Sequence, residues 1–359
     1  MPRPQSIPPR TPTGQITVRN LAEAAGVSIG AVSSVLNNRH VERRISEETV
    51  EKVKAAAARL GYLPNIGARR LRTGASARPT IVLALITSYE APLSLVNHFV
   101  TGLREAAGSA PEGTEGVSYK LLIEMFAAGK LRELPGLLSG DHFNAAIITN
   151  TTTEDDDFLA RTQLPYPSVI VNRRIPGYPG VVERAGGGAR AAEILVKMKR
   201  RKLAVVHGSP LTQITRARVD EFIEAALRMT GVAPTEIVAS HLSEEAAAAA
   251  VALALKKERA IDGLYAVTDG KALGAYHAIE ESGLSIPADI AVIGVGDYAI
   301  SRFFSPPLSC VGVAHSELGR VAAQLLMRRL RNVGQSDDRI ELNFEEHLRA
   351  STGEGRKRD

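Results

Sequence analysis

A short stretch near the amino terminus places small and polar side chains on one face of a predicted helix. Gly26 falls where a turn is needed between two helical patterns, and Ser28 is a suitable N-cap for the second helix. Val32, Val35 and Leu36 recur at the spacing of a buried helical face. The opposite face carries Ile29, Gly30, Ser33, Ser34 and Asn37. Such a face can contact base edges when a helix enters the major groove of DNA.

Three short helices are predicted to position this face. Leu21, Ala22 and Ala25 give the first helix an apolar stripe. A third helix is predicted to begin after Ser46, a good N-cap, and to end at Leu60, before a glycine. The pattern is typical of a DNA-binding helix-turn-helix, although any small helical hairpin has a similar apolar seam.

Positive charge is concentrated in the same region. Residues 1–78 hold 13 Lys and Arg against five Glu and no Asp, a balance of +8. The whole chain carries +5, so residues 79–359 carry about −3. The basic charge therefore belongs to the first fifth of the chain, where it favours a polyanionic partner.

The order of motifs here resembles the DNA-binding headpiece of the lactose-repressor (LacI) family over residues 17–74. The motifs are Ala25-Gly-Val-Ser28, Val32-Ser-Ser-Val-Leu-Asn-Asn38, Leu60-Gly-Tyr-Leu-Pro-Asn65 and Ala68-Arg-Arg-Leu71. The resemblance implies that residues 65–72 form a hinge helix on the operator, paired in the minor groove with the same helix of a second subunit. Leu71 matches a leucine wedged between base steps, which costs a few kcal/mol of unstacking that new contacts offset. The candidate DNA contacts are Thr17, Ser28, Ile29, Gly30, Ser33, Ser34, Asn37, Asn65, Ala68, Arg69, Leu71 and Arg72.

The recognition face departs from the family pattern. Ile29, Gly30 and Ser34 occupy positions that usually read bases, and none of them is the Arg, Gln or Asn that makes bidentate contacts. Direct readout of sequence is therefore expected to be modest. The loop at 39–44 is about three residues longer than the common pattern; it contacts phosphate or is a solvated loop.

The remaining residues predict an α/β body of two lobes. Strand-like apolar runs alternate with helical patterns such as Glu244–Lys256, which is typical of parallel sheets covered by helices. The predicted strands are 81–86, 119–123, 145–149, 168–172, 203–207, 263–267 and 290–294. Ligands of such sheets bind beyond the carboxyl ends of the strands.

Motifs in the body extend the resemblance to the family's effector domain. They are Ala266-Val-Thr-Asp-Gly-Lys-Ala-Leu-Gly274, Pro287-Ala-Asp-Ile-Ala-Val-Ile-Gly294 and Ser305-Pro-Pro-Leu-Ser-Cys-Val-Gly312. His347–Thr352 resembles its C-terminal strand. The resemblance implies a fold like periplasmic sugar-binding proteins, with two lobes, three crossovers and a cleft between them. The usual Asn-Pro-Phe after the first strand is replaced by Tyr89-Glu-Ala-Pro-Leu93.

The resemblance also implies an effector site. Arg218 matches an arginine that donates paired hydrogen bonds to effector hydroxyls or carboxylates, a geometry that suits a planar guanidinium. Asp269 matches an effector contact but is equally compatible with a helix cap. His315 falls where an aromatic ring often stacks on a sugar. The candidate effector contacts are Tyr89, Thr149, Asn172, Arg218, Thr268, Asp269, Asp297 and His315.

Other classes of protein are less compatible with the sequence. No apolar run approaches the length of a membrane span or a secretory signal core, and one cysteine, Cys310, excludes an internal disulfide framework. An enzyme with a Rossmann or Walker loop is disfavoured because neither motif is present, although Gly186-Gly-Gly188 could receive a phosphate. A solute-binding protein shares the two-lobed body but needs export. Metal ligands are too sparse to indicate a site.

The sequence thus predicts an α plus α/β protein of five segments. These are a disordered basic arm (1–15), a helix-turn-helix three-helix headpiece (16–63), a hinge helix and linker (64–78), a two-lobed periplasmic-binding-protein-like effector and dimerisation domain (79–352) and a tail (353–359). The predicted function is that of a cytoplasmic, non-enzymatic repressor that binds a pseudo-palindromic operator as a homodimer. A small molecule, a sugar or sugar derivative, is expected to control it without any other cofactor. The alternative is a ligand-independent architectural DNA-binding protein with a degenerate cleft.

Overall fold

The computed structural model describes residues 18–36, 40, 43–60, 80–91, 93–108, 118–138, 142–258, 260–296, 299–330 and 338–353. They belong to two compact units, a small helical one at the amino terminus and a larger α/β one. None of the helices described combines the length and apolar character needed to cross a membrane.

The small unit contains three described helices, α1 (Val18–Ala25), α2 (Ile29–Leu36) and α3 (Glu47–Leu60). Each helix contributes a fully buried aliphatic side chain to a shared core, namely Leu21, Val32 and Val53. Gly26 lies in the turn between α1 and α2 with φ +66°, a left-handed conformation that glycine adopts without strain. The predicted apolar stripes of both helices therefore face one core.

Side-chain caps fix the starts of α2 and α3. Ser28 Oγ accepts a hydrogen bond from the backbone N–H of Ala31 at 3.1 Å. Ser46 Oγ accepts one from the N–H of Thr49 at 3.3 Å. Such caps satisfy backbone donors that the helix itself leaves unpaired. The Arg59 guanidinium also donates to the Ala24 carbonyl at 3.1 Å and joins α3 to α1.

The larger unit is built on two six-stranded sheets, one in each lobe. Lobe one holds β1 (Thr80–Ser88), β2 (Ser118–Phe126), β3 (Ala145–Ile148), β4 (Ser168–Val171), β5 (Gly180–Glu183) and β11 (Arg339–Leu342). Lobe two holds β6 (Leu203–Gly208), β7 (Thr235–Ala239), β8 (Gly263–Ala266), β9 (Ala291–Gly294), β10 (Ser309–Gly312) and β12 (Glu345–His347).

The strand order is β11-β5-β4-β3-β1-β2 in lobe one and β12-β10-β9-β8-β6-β7 in lobe two. All neighbouring strands are parallel except β10 and β12, which pair antiparallel. The central strands β3, β4, β8 and β9 are buried along their whole length. Parallel strands covered on both faces read as continuous apolar runs, which is why the sequence predicts them.

Helices cover both faces of each sheet, so each lobe has a core on either side of its sheet. The described helices of this unit are α4 (Leu93–Gly108), α5 (Thr153–Ala160), α6 (Gly187–Lys197), α7 (Gln213–Thr230), α8 (Glu244–Lys257), α9 (Asp269–Glu281) and α10 (His315–Leu330). Helix α10 follows a strand of lobe two but packs into a core of lobe one, where Leu318, Leu325 and Leu326 are fully buried.

Within the described residues the chain passes between the lobes three times. The passages run from β5 to α6, from β10 to α10, and from β11 to β12. These three crossovers agree with the two-lobed architecture predicted from the sequence. They also place the carboxyl ends of strands from both sheets at the cleft between the lobes.

The C-terminal strand differs from its prediction. The expected strand over 347–352 ends instead at His347, and Ala350–Thr352 forms a 3-10 turn. Side-chain hydrogen bonds hold this turn: Ser351 Oγ donates to the Val292 carbonyl at 2.6 Å, and Arg349 donates to the Leu308 carbonyl at 2.7 Å. A backbone hydrogen bond from the Ser351 N–H to the Pro307 carbonyl at 3.0 Å adds to these contacts, which fix the segment without a strand.

Candidate functional site

The small unit presents the predicted recognition face to solvent. Ser28, Ile29 and Gly30 are exposed at the start of α2, and 47% of the Ile29 surface is accessible. Ser33 and Ser34 are half-buried one turn further on. The Ser34 hydroxyl donates to the Gly30 carbonyl at 2.8 Å, inside the helix. The outermost groups of this face are thus an isoleucine, a glycine and a capping serine.

Several predicted site residues lie outside the described residues. They are Thr17, Asn37, Asn65, Ala68, Arg69, Leu71 and Arg72 of the predicted DNA-binding set, and Asp297 of the predicted effector set.

In the larger unit, a cavity lies between the lobes at the carboxyl ends of strands from both sheets. The structure brings five predicted effector residues to its wall, namely Thr149, Asn172, Arg218, Thr268 and His315. The residues that line it beside them are Ser88, Glu90, Ala91, Phe99, Ala128, Asn150, Thr152, Arg173, Gly208, Pro210, Thr212, Ile214, Thr215, Leu242, Val267 and Lys271. Hydroxyl groups therefore face the cavity from both lobes, and amide groups face it from lobe one.

Two predicted effector residues do not reach this wall. Tyr89 is 65% exposed, although its neighbours Ser88 and Glu90 line the cavity. Asp269 is the first residue of α9, half-buried, and burial raises the pKa of its carboxyl group while the Gly270 backbone N–H opposes that shift. Thr268 provides the N-cap of α9, because its side chain accepts from the Lys271 backbone N–H at 3.3 Å.

Arg218 is paired with a carboxylate that the sequence did not identify. Its guanidinium Nη2 donates to Glu183 Oε2, and its Nε lies 3.4 Å from Glu183 Oε1. Arg218 is on α7 in lobe two, whereas Glu183 ends β5 in lobe one. Both side chains are almost completely buried. The predicted effector arginine is thus also half of an ion pair that joins the lobes.

A second buried arginine organises the wall of lobe one. Arg173 donates to the Thr151 carbonyl at 2.7 Å and to the Asn172 carbonyl at 2.7 Å, and its Nε lies 3.5 Å from the Asp156 carboxylate. Burial lowers the pKa of Arg173 to about 10, so the guanidinium stays charged at neutral pH. Asn172 Oδ1 accepts from the Glu183 backbone N–H at 3.0 Å, which fixes the ends of β4 and β5 together.

Lys271 reaches the cavity from lobe two. It is 1% exposed, and its ammonium donates to the Ser243 carbonyl at 2.9 Å. Burial lowers its pKa to about 8, while Glu244 and Asp269 oppose the shift through their negative charge. At neutral pH the side chain is therefore mostly an ammonium ion.

His315 supplies an uncharged aromatic ring to the cavity wall. It packs edge-to-face against Phe99, with ring centroids 6.3 Å apart. Burial holds the pKa of the imidazole well below its usual value, and the charge of Arg218 adds to that effect. Its ring is thus neutral at physiological pH.

The glycine triplet at 186–188 already has an anionic partner in the protein. The Glu221 carboxylate accepts from the backbone N–H groups of Gly186 at 2.9 Å and Gly188 at 3.0 Å. This carboxylate occupies the backbone donors that the sequence offered to a phosphate. Among the described residues, no group of three or more His, Cys, Asp or Glu side chains is arranged to hold a metal ion.

Sequence reasoning missed Glu183, Arg173 and Lys271. One signal was available for Lys271, because it interrupts an otherwise small and apolar pattern at the start of α9. Glu183 and Arg173 each directly follow or end a buried strand, where ligand sites of parallel sheets form. Their pairing with Arg218 and Asp156 depends on tertiary structure.

Two family models match the chain. A model described as bacterial regulatory proteins of the lacI family matches residues 17–65, and one for a periplasmic binding protein-like domain matches residues 192–352. The HTH-type transcriptional regulator CelR of Thermobifida fusca is 27% identical over 343 residues, which covers 92% of this chain and 96% of that protein. The chain thus combines a LacI-family DNA-binding domain with a periplasmic binding protein-like domain.

Other relatives have a similar extent of match. The HTH-type transcriptional repressor PurR of Haemophilus influenzae (strain PittEE) is 26% identical over 325 residues, covering 88% of this chain and 91% of that one. A complex of the regulator CelR with cellobiose has a TM-score of 0.64 at 24% identity and covers 94% of this chain and 100% of its own. The lac repressor dimer bound to operator and the anti-inducer ONPF has a TM-score of 0.65 at 23% identity, covering 94% and 99%. Both curated relatives are transcriptional regulators.

Proposed function

We propose that the chain is a repressor that binds a pseudo-palindromic DNA operator as a homodimer and responds to a small molecule in the cleft between its lobes. The observation that carries this proposal is the joint presence, in one chain with a LacI-family domain, of an exposed helix-turn-helix face and an interlobe cavity that polar side chains of both lobes help to line. The effector is a sugar or sugar derivative, and the protein acts in the cytoplasm.

The composition of the recognition face indicates that α2 and the hinge segment contribute differently to DNA binding. Ile29 can contact a thymine methyl group, and Gly30 allows close approach of the backbone, but neither makes a bidentate hydrogen bond to a base. The hinge segment at 64–78 then contributes much of the specificity, with Leu71 as a wedge in the minor groove. Specificity of this kind depends on how easily the base steps deform.

The cavity supports control by a ligand. Its wall is built from both lobes, so a molecule bound there contacts Thr149 and Asn172 on one side and Thr268 on the other. Such a ligand stabilises one relative orientation of the lobes over another, and it shifts DNA affinity by its differential affinity for the two, typically about 1–3 kcal/mol. Solved relatives of the same fold were obtained with cellobiose and with ribose.

The test is selection of operator DNA. The purified full-length chain is incubated with fragmented DNA of its source genome at moderate salt, which suppresses nonspecific phosphate binding, and the retained fragments are sequenced. The selection is repeated with a small-molecule extract of the source cells, because a corepressor requirement would otherwise resemble a failure. A shared palindrome of about 14–20 base pairs supports the proposal. Retention without a common motif under both conditions contradicts it and favours an architectural DNA-binding protein.

A further inference from the structure

We propose that Lys271 makes this protein selective for an anionic effector, a polyhydroxylated molecule whose carboxylate or phosphate group is bound by the Lys271 ammonium. The inference rests on the effector-binding part of the function proposed above and identifies the chemical class of the ligand.

The backbone around Lys271 is shaped to bring its side chain to the cavity. Lys271 is the third residue of α9, and its stem passes over Gly208 at the end of β6. A Cβ atom at Gly208 would lie 3.0 Å from Lys271 Cε and 2.7 Å from the His241 carbonyl oxygen. A side chain at position 208 would therefore displace the lysine. Both residues line the interlobe cavity.

Lys271 differs from the two arginines of the cavity in how its charge is balanced. Arg218 has the Glu183 carboxylate, and Arg173 has Asp156 at 3.5 Å. Among the described residues, no carboxylate lies within 4.0 Å of the Lys271 ammonium, and its hydrogen-bond acceptor there is the Ser243 carbonyl. An ammonium group has three donors. The described residues therefore leave two of them for a molecule in the cavity.

The location is unfavourable for a cation that has only a structural role. Lys271 lies in the first turn of α9, where the helix dipole favours negative charge. It is also removed from water, which disfavours the ammonium form. Glu244 and Asp269 offset part of this cost through their charge. An anion in the cavity would supply a close partner that none of the described residues provides, which is the arrangement expected of a binding group.

The remaining wall identifies the rest of the ligand. Thr149 and Ser88 face the cavity from lobe one, and Thr212, Thr215 and Thr268 face it from lobe two. Hydroxyl side chains both donate and accept, so they suit a ligand with several hydroxyl groups. Together with one ammonium, they favour an aldonate or a sugar phosphate over a neutral sugar. A charge-assisted hydrogen bond of this kind is worth about tenfold to a hundredfold in affinity.

The experiment compares matched ligands on matched variants of the full-length protein. Isothermal titration calorimetry at pH 7 measures the dissociation constants of six compounds. They are D-glucose, D-gluconate and D-glucose 6-phosphate, and the corresponding D-ribose, D-ribonate and D-ribose 5-phosphate. Lys271→Met removes the ammonium and keeps the length of the stem. Lys256→Met, at an exposed site on α8, is the control for loss of one positive charge. Lys271→Gln is a second replacement in case the methionine variant does not fold, as judged by circular dichroism.

The expected result is that at least one anion binds at least tenfold more tightly than its neutral congener. Lys271→Met and Lys271→Gln abolish that preference, whereas Lys256→Met keeps it. Comparison of the titrations with the sugar acids and with the sugar phosphates shows whether a carboxylate or a phosphate is bound. Three results would overturn the inference. They are a neutral sugar that binds as tightly as its anions, a preference that survives both replacements, and no binding of any of the six compounds.

The same preparations are assayed for retention of the selected operator DNA, so that the two proposals fail separately. Wild-type protein that retains the operator but shows no preference for an anion overturns the role of Lys271 alone. Wild-type protein that retains no specific DNA overturns the proposed regulatory function, whatever the ligand result.

Discussion

The guanidinium of Arg218 and the carboxylate of Glu183 form a buried ion pair that connects the two lobes of the effector-type domain. Arg218 is carried by α7 in lobe two, and Glu183 ends β5 in lobe one. Because both charges are removed from water, each compensates the desolvation of the other. A change in the relative orientation of the lobes must therefore rearrange this pair, and Arg218 at the same time lines the ligand cavity.

Removing one partner of this pair should be more damaging than removing both. Arg218→Met leaves the Glu183 carboxylate buried without its cation, and we expect it to lower the free energy of unfolding by about 3–5 kcal/mol. The double variant Arg218→Met/Glu183→Gln carries no uncompensated charge and should recover part of that loss. Chemical denaturation followed by circular dichroism measures both. Losses that simply add in the double variant would contradict a coupled pair.

The double variant also tests the assignment of Arg218 to the effector site. We expect it to bind operator DNA with wild-type affinity and to lose the response of that binding to the effector identified by calorimetry. The reason is that the guanidinium lines the cavity proposed to bind the ligand, while the headpiece belongs to a separate compact unit. Operator affinity measured by fluorescence anisotropy, with and without ligand, provides the readout. An intact response would remove Arg218 from the site.

Lys271→Met should stabilise the unliganded protein at neutral pH. The lysine pKa is about 8 in the folded protein against 10.5 in a free chain, because burial disfavours the charged form despite the carboxylates of Glu244, Glu245 and Asp269. The unfolded chain therefore binds more protons between pH 8 and 10.5, and the penalty from Lys271 decreases as the pH rises through that range.

The gain in unfolding free energy from Lys271→Met is expected to be about 1–3 kcal/mol at pH 7, after allowing for the lost hydrogen bond to Ser243. It should shrink toward pH 10.5. Thermal denaturation of both proteins at several pH values measures the difference. A gain that is constant with pH, or a loss of stability at pH 7, would show that the ammonium is not a destabilising buried charge.

Ile29 and Leu21 should separate DNA contact from folding in the small unit. Ile29 is 47% exposed, so Ile29→Ala should leave the helical content unchanged and weaken operator binding by about 1 kcal/mol through loss of an apolar base contact. Leu21 is fully buried, and Leu21→Ala should cost about 2–5 kcal/mol of stability. Operator titrations beside circular dichroism distinguish them. Wild-type operator affinity in the Ile29 variant would place that side chain outside the interface.

Leu71→Ala tests the proposed hinge wedge. We expect at least tenfold weaker binding to the selected operator and unchanged binding to random DNA, because wedging acts on specific base steps whereas nonspecific binding depends on phosphate contacts. Parallel titrations with both DNAs give the comparison. An equal loss on operator and random DNA would exclude the wedge.

The sequence predicts the elements whose signals are local. Ser28 and Ser46 cap α2 and α3 as expected, because capping requires only residues three positions apart. The fully buried strands β3, β4, β8 and β9 are found where continuous apolar runs occur. In each case the residues that determine the structure are neighbours along the chain.

Three edge strands were missed for the opposite reason, although the edge strand β2 was predicted and the buried inner strands β5 and β10 were also missed. β7 and β12 lie at the edges of the lobe-two sheet, and β11 lies at one edge of the lobe-one sheet. Their side chains are only partly buried, and β12 reads Glu345-Glu-His347. A partly solvated strand can be polar, so its pairing is decided by the neighbouring strand. The misplaced C-terminal strand has the same origin.

The residues of the candidate site also fall into two groups, those with a local signal in the sequence and those whose contacts depend on packing between elements. Thr149, Asn172 and Thr268 were assigned to the effector site from the family resemblance, and each lies at the end of a predicted strand or directly after one, at the wall of the cavity. The pairing of Arg218 with Glu183 joins residues on different lobes, and Tyr89 turns to solvent although its neighbours line the cavity. Such relationships depend on how the lobes pack. They cannot be predicted from sequence patterns, because each pattern describes a single helix or strand.

The most direct test of sequence-specific regulation is the ratio of two dissociation constants at physiological salt. One is measured for the operator obtained by selection, and the other for a scrambled duplex of the same length and composition. The proposed function predicts that the operator binds at least about a thousandfold more tightly. Equal dissociation constants for the two duplexes would contradict it.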